Sequence, residues 1–379
     1  MGFASLNPSY EHRTQIGLQV AIENQGRRPM MARTLAAMLG GLSMGLIAMP
    51  SANAQTVEQF YRGKTVTVLV GTSPGGINDI TARFASKHFG RFIPGNPIIN
   101  VQYTPGGGGL VTANRIYNAS ERDGTVLAKL ERATPQLAIQ GYPQAQFDPT
   151  KLVWLGSMSS YADDAYLMLV NADHPAKSID DIKPGGAQKL TLGANNAASS
   201  NLIFGIIAKE VLRLNLNVVR GYTGAAPLFL AMGRKEIDGQ LVGMSSVKTG
   251  QRDMWEKRAF RTLLQFGRTT RHPEFPNVPT GRELAPSPDM LSLIEFAEIP
   301  FFMSLPFVAP PGVPADRVKA LQDAFMAMCR DPGVLDEAAK LGIDMSAINA
   351  EQILQLVGRM AATPKDVIAR YNVIAGEKN

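Results

Sequence analysis

Two hydrophobic periods alternate along most of this chain. Short apolar or β-branched runs predict strands at Thr65–Val70, Ile98–Gln102, Val126–Leu130, Val153–Ser157 and Leu167–Val170. Further runs predict strands at Leu190–Gly193, Val218–Arg220, Ile237–Val242, Thr262–Gln265 and Phe302–Ala309. Between them, apolar residues at helical spacing predict helices at Asn78–Phe89, Leu110–Tyr117, Ser200–Leu212, Ala225–Met232 and Ser246–Lys257. Strand–helix alternation of this kind builds βα units and mostly parallel sheets. From Pro314 onward the pattern is purely helical, with helices expected at Ala315–Cys329, after Pro332, at Ala350–Met360 and at Thr363–Val373.

The strand at Thr65–Val70 runs into Ser73-Pro74-Gly75-Gly76, and a helical pattern with Ile77, Ile80 and Phe84 on one face follows. A strand, a glycine turn and a helix N-terminus place backbone N–H groups and a positive dipole end at one point. Small anions, carboxylates included, bind there without a formal countercharge. The spacing excludes a Walker loop, since Ile77-Asn78 stands where Gly-Lys-Ser/Thr would be. It also lacks the Gly-x-Gly-x-x-Gly dinucleotide fingerprint. Similar turns recur at Pro105–Gly109, Gly193–Ser200 and Gly221–Gly224, and Ser199 is placed to cap the helix from Ser200.

In a parallel sheet, ligands collect at the carboxyl ends of strands. The polar candidates on these turns are Thr72, Ser73, Asn78, Asn195, Ser199, Ser200, Tyr222 and Thr223, with Gly75 and Gly76 supplying backbone. Gly76 is expected to need glycine for backbone freedom and close approach. Asp79 would repel a carboxylate, so it is read as holding the Ser73–Gly76 loop or capping the helix. Touching ligand, it would accept from a hydroxyl or an ammonium.

Residues 27–54 read differently from the rest. Arg27, Arg28 and Arg33 precede an apolar run from Leu35 to Met49, which ends in Ala52-Asn53-Ala54. These are the parts of a secretory signal peptide, and the run is short for a membrane span. Cleavage is expected after Ala54, with Met30 or Met31 a candidate initiator inside an over-long start. No Cys lies near that point, so a lipid anchor is not expected. Residues 1–54 carry four Arg and two Glu, so their removal lowers the formal net charge from +6 to +4.

That mild, dispersed excess suits an anionic small molecule and not nucleic acid, which would want a basic stripe or a known module. The single cysteine, Cys329, allows no intramolecular disulfide, and its neighbours Phe325, Met326 and Met328 mark it as a buried thiol. About 325 mature residues exceed one ordinary core and favour two lobes. The lobe boundary is expected in strands that cross near Ser157–Tyr166 and near Phe266–Thr270.

These residues, in this order, resemble the periplasmic solute receptors of tripartite tricarboxylate transporters, the Bug or TctC family. The family's Pro-Pro-Gly-Gly-x-x-Asp loop is matched by Ser73–Asp79, and its Pro-Gly-Ala-Gly-Gly by Pro105–Gly109. Its Pro-Asp-Gly-Tyr-Thr is matched by Arg122–Thr125, its Gly-Ser-x-Gly-x-Gly-Ser-Ser by Gly193–Ser200, and its Pro-Tyr-Lys-Gly-x-x-Pro-Ala by Gly221–Pro227. Pro276–Thr280 and Ala309–Pro314 match two late signatures, and the likeness runs from about Val57 to the C-terminus.

The resemblance implies an α/β, two-lobe periplasmic-binding-protein fold (type II-like). Each lobe would be a mostly parallel sheet flanked by helices, with the ligand cleft between lobes. It implies residues 55–163 as lobe 1, 164–265 as lobe 2 and 266–379 as a return to lobe 1 with C-terminal helices. It further implies a small organic acid as ligand, the membrane permease subunits of a tripartite transporter as partners, a periplasmic location and a monomeric receptor.

This chain departs from the family at several places. Ser73 replaces a proline, Thr223 the lysine of Tyr-Lys-Gly, and Val242-Gly243-Met244 stands for Phe-Asp-Asn. Glu131-Arg132-Ala133-Thr134 replaces a small loop that in the family faces the cleft. Arg132 and Thr134 therefore join the candidate ligand set, since a guanidinium at a strand end grips a carboxylate bidentately.

No enzyme is expected, and no cofactor or metal. The mature histidines His88, His174 and His272 are dispersed, and no nucleophile elbow occurs. Asp163-Asp164 is read as a solvated pair at a lobe crossing, and Phe301 and Phe302 as core. A periplasmic sensor that docks on a membrane kinase would bind similar ligands, and the two outputs share one sequence signature. Mass spectrometry of the exported protein should find its N-terminus within a few residues of Gln55; an intact Leu35–Met49 segment would contradict the cleavage reading.

Overall fold

The computed structural model describes residues 55–195 and 199–376; the expected signal segment 1–54 and residues 196–198 of the third glycine turn lie outside them. Among the described residues eleven strands form two sheets. They are β1 (Thr65–Val70), β2 (Ile98–Tyr103), β3 (Val126–Lys129), β4 (Val153–Ser157), β5 (Tyr166–Asn171) and β6 (Leu190–Asn195). After them come β7 (Leu216–Tyr222), β8 (Gly239–Gly243), β9 (Phe260–Phe266), β10 (Pro306–Ala309) and β11 (Ile348–Asn349). The first sheet has the order β11-β4-β10-β3-β1-β2 and the second β7-β6-β8-β5-β9. This is the two-lobe α/β architecture expected from the alternation.

The sheets are mixed in a specific way. β1 pairs parallel with β2 and β3, and β6 pairs parallel with β7 and β8. β10 runs antiparallel between β3 and β4, and β5 runs antiparallel between β8 and β9. The chain leaves the first sheet at Ser157 and enters the second at Tyr166, then leaves at Phe266 and re-enters the first at Pro306. In both sheets the entry strand is the antiparallel one. β5 has the continuous apolar run of a strand buried on both faces.

Several local expectations need correction. Phe302 and Met303, at the front of Phe302–Ala309, belong to a 3₁₀ turn, Ile299–Met303, because Pro300 suits a helical first turn. The helix expected over Ser246–Lys257 breaks at Gln251 into Met244–Gly250 and Arg252–Glu256. Short β11 interrupts the helical tail, and the periodicity missed the helices Thr134–Ile139 and Pro288–Glu298. On Ile77–Phe89 the buried face differs in part from the one read: Phe84 is buried as expected, but Ile80 is 38% exposed and Asp79 is 0% exposed. A carboxylate tolerates that position because its oxygens are fully hydrogen-bonded, as described below.

One core lies behind the first sheet, where Phe325 meets Phe89 and Phe307 at ring distances of 5.9 and 5.2 Å. Cys329 sits in that core, and burial pushes its thiol up to about 12. A larger core spans both sheets through Trp154, Met168, Phe204, Phe266 and Phe301. The last helix, Lys365–Ala375, packs Tyr371 on Phe296 at 5.1 Å and Ile374 against Leu202 and Ile206 behind the second sheet. Among the described residues no helix is long and apolar enough to cross a membrane.

The two crossings are tied together. Arg268 donates from Nη1 to the carbonyls of Tyr161, Ala162 and Asp164 at 3.2, 2.8 and 2.8 Å. Asp163 is exposed, but Asp164 is buried, so the pair is not the solvated one expected. The Asp164 Oδ1 accepts from Ala165 N at 2.8 Å and Ser245 N at 3.1 Å, which joins the crossing to the helix after β8. Burial still outweighs those bonds and raises its carboxyl to about 6.

Phe325→Ala should cost about 3–5 kcal/mol in denaturant unfolding, and a loss below about 1 kcal/mol would deny Phe325 its central place. The second expectation concerns pH. Asp164 binds its proton more tightly folded than unfolded, so its contribution is full below about pH 4 and lost as pH rises through about 6. Asp164→Asn should flatten the wild-type decline over that window, on the order of 2 kcal/mol, in unfolding curves taken across pH. An unchanged slope would show that this carboxyl titrates normally.

Candidate functional site

A cavity of about 390 Å³ opens between the two sheets. The first sheet contributes Gly71, Thr72, Ile77, Asn78 and Gly108 with the segment Glu131–Ala133 after β3. Across from it stand Tyr166, Asn195, Ser199–Asn201, Ala225 and Gln240–Ser246 without Met244. The crossings and the region behind them add Ser159, Tyr161, Asp164, Ser304, Leu305, Ile343 and Asp344. Helices beginning at Ile77, Ser200, Ala225 and Met244 start at this wall, so several positive dipole ends face it.

Arg132 is the cation at the centre. Its guanidinium carbon lies 3.8 Å from the centroid of Phe301, with Tyr166 and Tyr161 at 5.6 and 5.7 Å. Stacking on an aromatic face fixes the plane of the fork and leaves its in-plane N–H groups free to point at a partner. One of them, on Nη2, donates to Ser200 Oγ at 3.1 Å across the cavity. Phe301 is thus a buried platform, and Phe302 is half-buried with Arg282 over its ring at 5.8 Å.

Beneath that wall lies a lysine the sequence reading did not single out. Lys129, the last residue of β3, is 0% exposed and donates through Nζ to Asn78 Oδ1. Asn78 Nδ2 donates in turn to Glu131 Oε2 at 2.5 Å. Burial lowers the lysine to about 8, against the neighbouring Glu131 charge, which raises it. The Asn78 amide is thus engaged at both ends, as a bridge between cation and carboxylate.

The first loop works as scaffold. Gly75 N donates to Asp79 Oδ2 at 2.7 Å, Arg83 Nη2 donates to the same oxygen at 2.7 Å, and Tyr103 OH donates to Oδ1. Burial opposes the charge of Asp79, but those bonds outweigh it and hold the carboxyl below the usual range. The left-handed position of the turn is Gly75, at φ 102°; Gly76 has an extended φ of −95°, and an added Cβ there would meet nothing within 4 Å. The need for glycine assigned to Gly76 therefore belongs to Gly75.

Of the residues expected to bind, Thr72, Asn78, Arg132, Asn195, Ser199 and Ser200 line the cavity. Ser199 occupies the N-cap position with extended backbone, and its hydroxyl donates to Asn201 Oδ1 at 2.8 Å. Ser73, Gly75, Gly76, Asp79, Thr134, Tyr222 and Thr223 lie outside that lining. The first three and Thr223 are exposed, Asp79 and Thr134 are buried, and Tyr222 packs on the core of the second sheet. Sequence reasoning missed Gln240, Ser245 and Tyr161 and read Asp164 as solvated; the four come together on this lining. It flagged Glu131 as a departure without assigning it to the site.

The family model for the tripartite tricarboxylate transporter family receptor matches residues 83–373, so the Ser73–Asp79 loop precedes the matched segment. Among solved structures, the periplasmic binding protein BugD superposes with a TM-score of 0.59 at 18% identity, over 84% of this chain and 99% of its own. MatC from Rhodopseudomonas palustris with bound malate gives 0.56 at 20% identity, over 80% and 99%. Rpa4515 from R. palustris with adipate gives 0.59 at 17% identity, over 83% and 97%. A comparison with curated protein sequences finds no match. Identities this low speak for the fold alone, while the family model covers most of the chain: this chain belongs to the tripartite tricarboxylate transporter receptor family.

Proposed function

We propose that this receptor captures a small organic carboxylate between its two lobes in the periplasm and delivers it to the permease subunits of a tripartite transporter. The observation that carries the reading is Arg132, whose guanidinium lies on Phe301 at the cavity wall and reaches Ser200 from the opposite sheet. A carboxylate entering there replaces the serine contact with charge-assisted bonds, and helix N-termini around it favour the same sign. The malate and adipate seen in MatC and Rpa4515 support the ligand class.

In this reading residues 55–163 form lobe 1, 164–265 lobe 2, and the rest returns to lobe 1. Hinge closure about the two crossings orders the cleft and excludes water. Arg132, Ser200, Thr72, Ser199 and Asn195 contact the ligand, while Asn78 holds the wall behind it. Ser73, Gly75, Gly76, Asp79, Thr134, Tyr222 and Thr223 keep the turns in shape. The receptor acts as a monomer, binds reversibly and releases its ligand unchanged.

A thermal-shift screen against organic acids should raise the unfolding temperature with the cognate ligand, by mass action. Calorimetry on Arg132→Ala should then show affinity reduced about 10- to 150-fold, the equivalent of about 1.5–3 kcal/mol for a charged hydrogen bond. Wild-type binding confined to solutes without a carboxylate would sink the carboxylate assignment, and undiminished affinity in that variant would leave the anion to the helix N-termini and take Arg132 out of the reading.

A further inference from the structure

The two halves of the molecule also meet outside the crossings and outside the cavity around Arg132. The helix Pro332–Leu341 ends at Gly342, whose φ is 69°, and a Cβ built there would lie 2.8 Å from Thr249 Cγ2. Gly342 is flanked by Ala338 and Ile343, which belong to the core behind the first sheet. Thr249 stands on the helix Met244–Gly250, which packs Met244 and Val247 into the core of the second sheet. A second cavity, of about 500 Å³, opens around this contact, and Ile77 and Ile343 line both it and the first.

Both partners are anchored on the first crossing, at its opposite ends. Asp344 accepts from Ser159 Oγ at 2.6 Å and Ser160 N donates to Ser346 O at 2.8 Å, which ties the segment after Gly342 to the start of the crossing. Ser245 N donates to Asp164 Oδ1 at 3.1 Å and Met244 N to Ala165 O at 2.9 Å, which ties the Thr249 helix to its end. The bend of residues 159–165 therefore sets the gap between residue 342 and Thr249. The threonine methyl is held as well. Thr249 Oγ1 donates to Ser245 O at 2.8 Å, which fixes χ1 of a β-branched side chain. A left-handed helix end alone would admit asparagine as well as glycine, so the approach of Thr249 is a separate demand on this position.

We propose that Thr249 seated on Gly342 is the closing contact of the cleft: the two halves come together around a ligand only while residue 342 carries no side chain. Gly342 and Thr249 are positioning residues, since neither lines the cavity around Arg132 and both act through the angle between the sheets. This rests on the receptor reading above and adds to it the contact that limits closure. A Cβ at residue 342 props the halves apart, and apparent affinity falls with the fraction of molecules that still close.

The test is calorimetry on receptor purified from the periplasm, with malate, adipate and the organic acid that most raises its unfolding temperature. Gly342→Ala should bind at least about tenfold more weakly than the wild type. The double variant, Gly342→Ala with Thr249→Ser, should return to within about threefold, because serine keeps the hydroxyl bond to Ser245 and lacks the methyl. The strain of an alanine at φ 69° is present whether the halves are apart or together, so it lowers the unfolding temperature of both variants and leaves affinity alone. Should Gly342→Ala not fold, Thr249→Leu builds the wedge from the exposed side and should show the same loss. Affinity within about threefold of the wild type in a folded wedge variant, or a double variant no tighter than Gly342→Ala, overturns this inference and leaves the receptor reading standing. A wild type that binds no acid overturns the receptor reading, and small-angle scattering of the ligand-free proteins then decides this one. A larger radius of gyration in Gly342→Ala, reversed by Thr249→Ser, is expected there; an unchanged radius overturns the closing contact.

Discussion

The ring of Phe301 is the surface on which the cleft is assembled. Its edges meet Tyr161 and Tyr166 at 5.0 Å and Phe204 at 5.4 Å, so it joins the crossing, the second sheet and the helix from Ser200. Its free face carries the Arg132 guanidinium. The close approach leaves no room beside it: a Cβ on Gly267, at φ 70°, would lie 3.0 Å from Phe301 and 3.2 Å from Tyr161. Glu298 fixes that glycine by accepting from its N–H at 3.0 Å, and Arg282 holds Glu298 in turn. A cation positioned by aromatic packing needs no carboxylate to hold it, which leaves its N–H groups for a ligand.

Opposite signs meet on the wall the ligand sees. A receptor that must release its cargo gains from donors that are prepaid in orientation yet not excessively strong. Helix N-termini and one stacked arginine meet that need. The buried Lys129–Asn78–Glu131 chain explains how this acid is held in place. Each group is satisfied by the next, up to Glu131 Oε1, which is buried and has no hydrogen-bond partner. The glycine turns contribute shape to this arrangement more than contacts, as the Asp79 hydrogen bonds to the first loop show.

Strand positions were legible in the chain because buried strands such as β5 are nearly continuous apolar runs bounded by turn residues. Strand direction was not, since whether a strand pairs parallel or antiparallel depends on where the chain re-enters a sheet. Ile80 and Asp79 show the limit of periodicity: polarity alone assigns the isoleucine inward, and three hydrogen-bond partners reverse it. Gly75 and Gly76 show the same for turns, where sequence marks the pair and only backbone geometry tells which one needs glycine.

By itself the sequence determined the family, the two-sheet α/β class, most strand positions and the unusual Glu131-Arg132 loop, because apolar periodicity and turn chemistry are local properties. Only the tertiary structure decided what that loop touches. Phe301 lies 169 residues after Arg132, and Ser200 lies 68 after it, so their contacts with the guanidinium exist only once both crossings have closed. The empty valence on Glu131 is decided the same way, since a carboxylate lacks a partner only relative to everything folded around it.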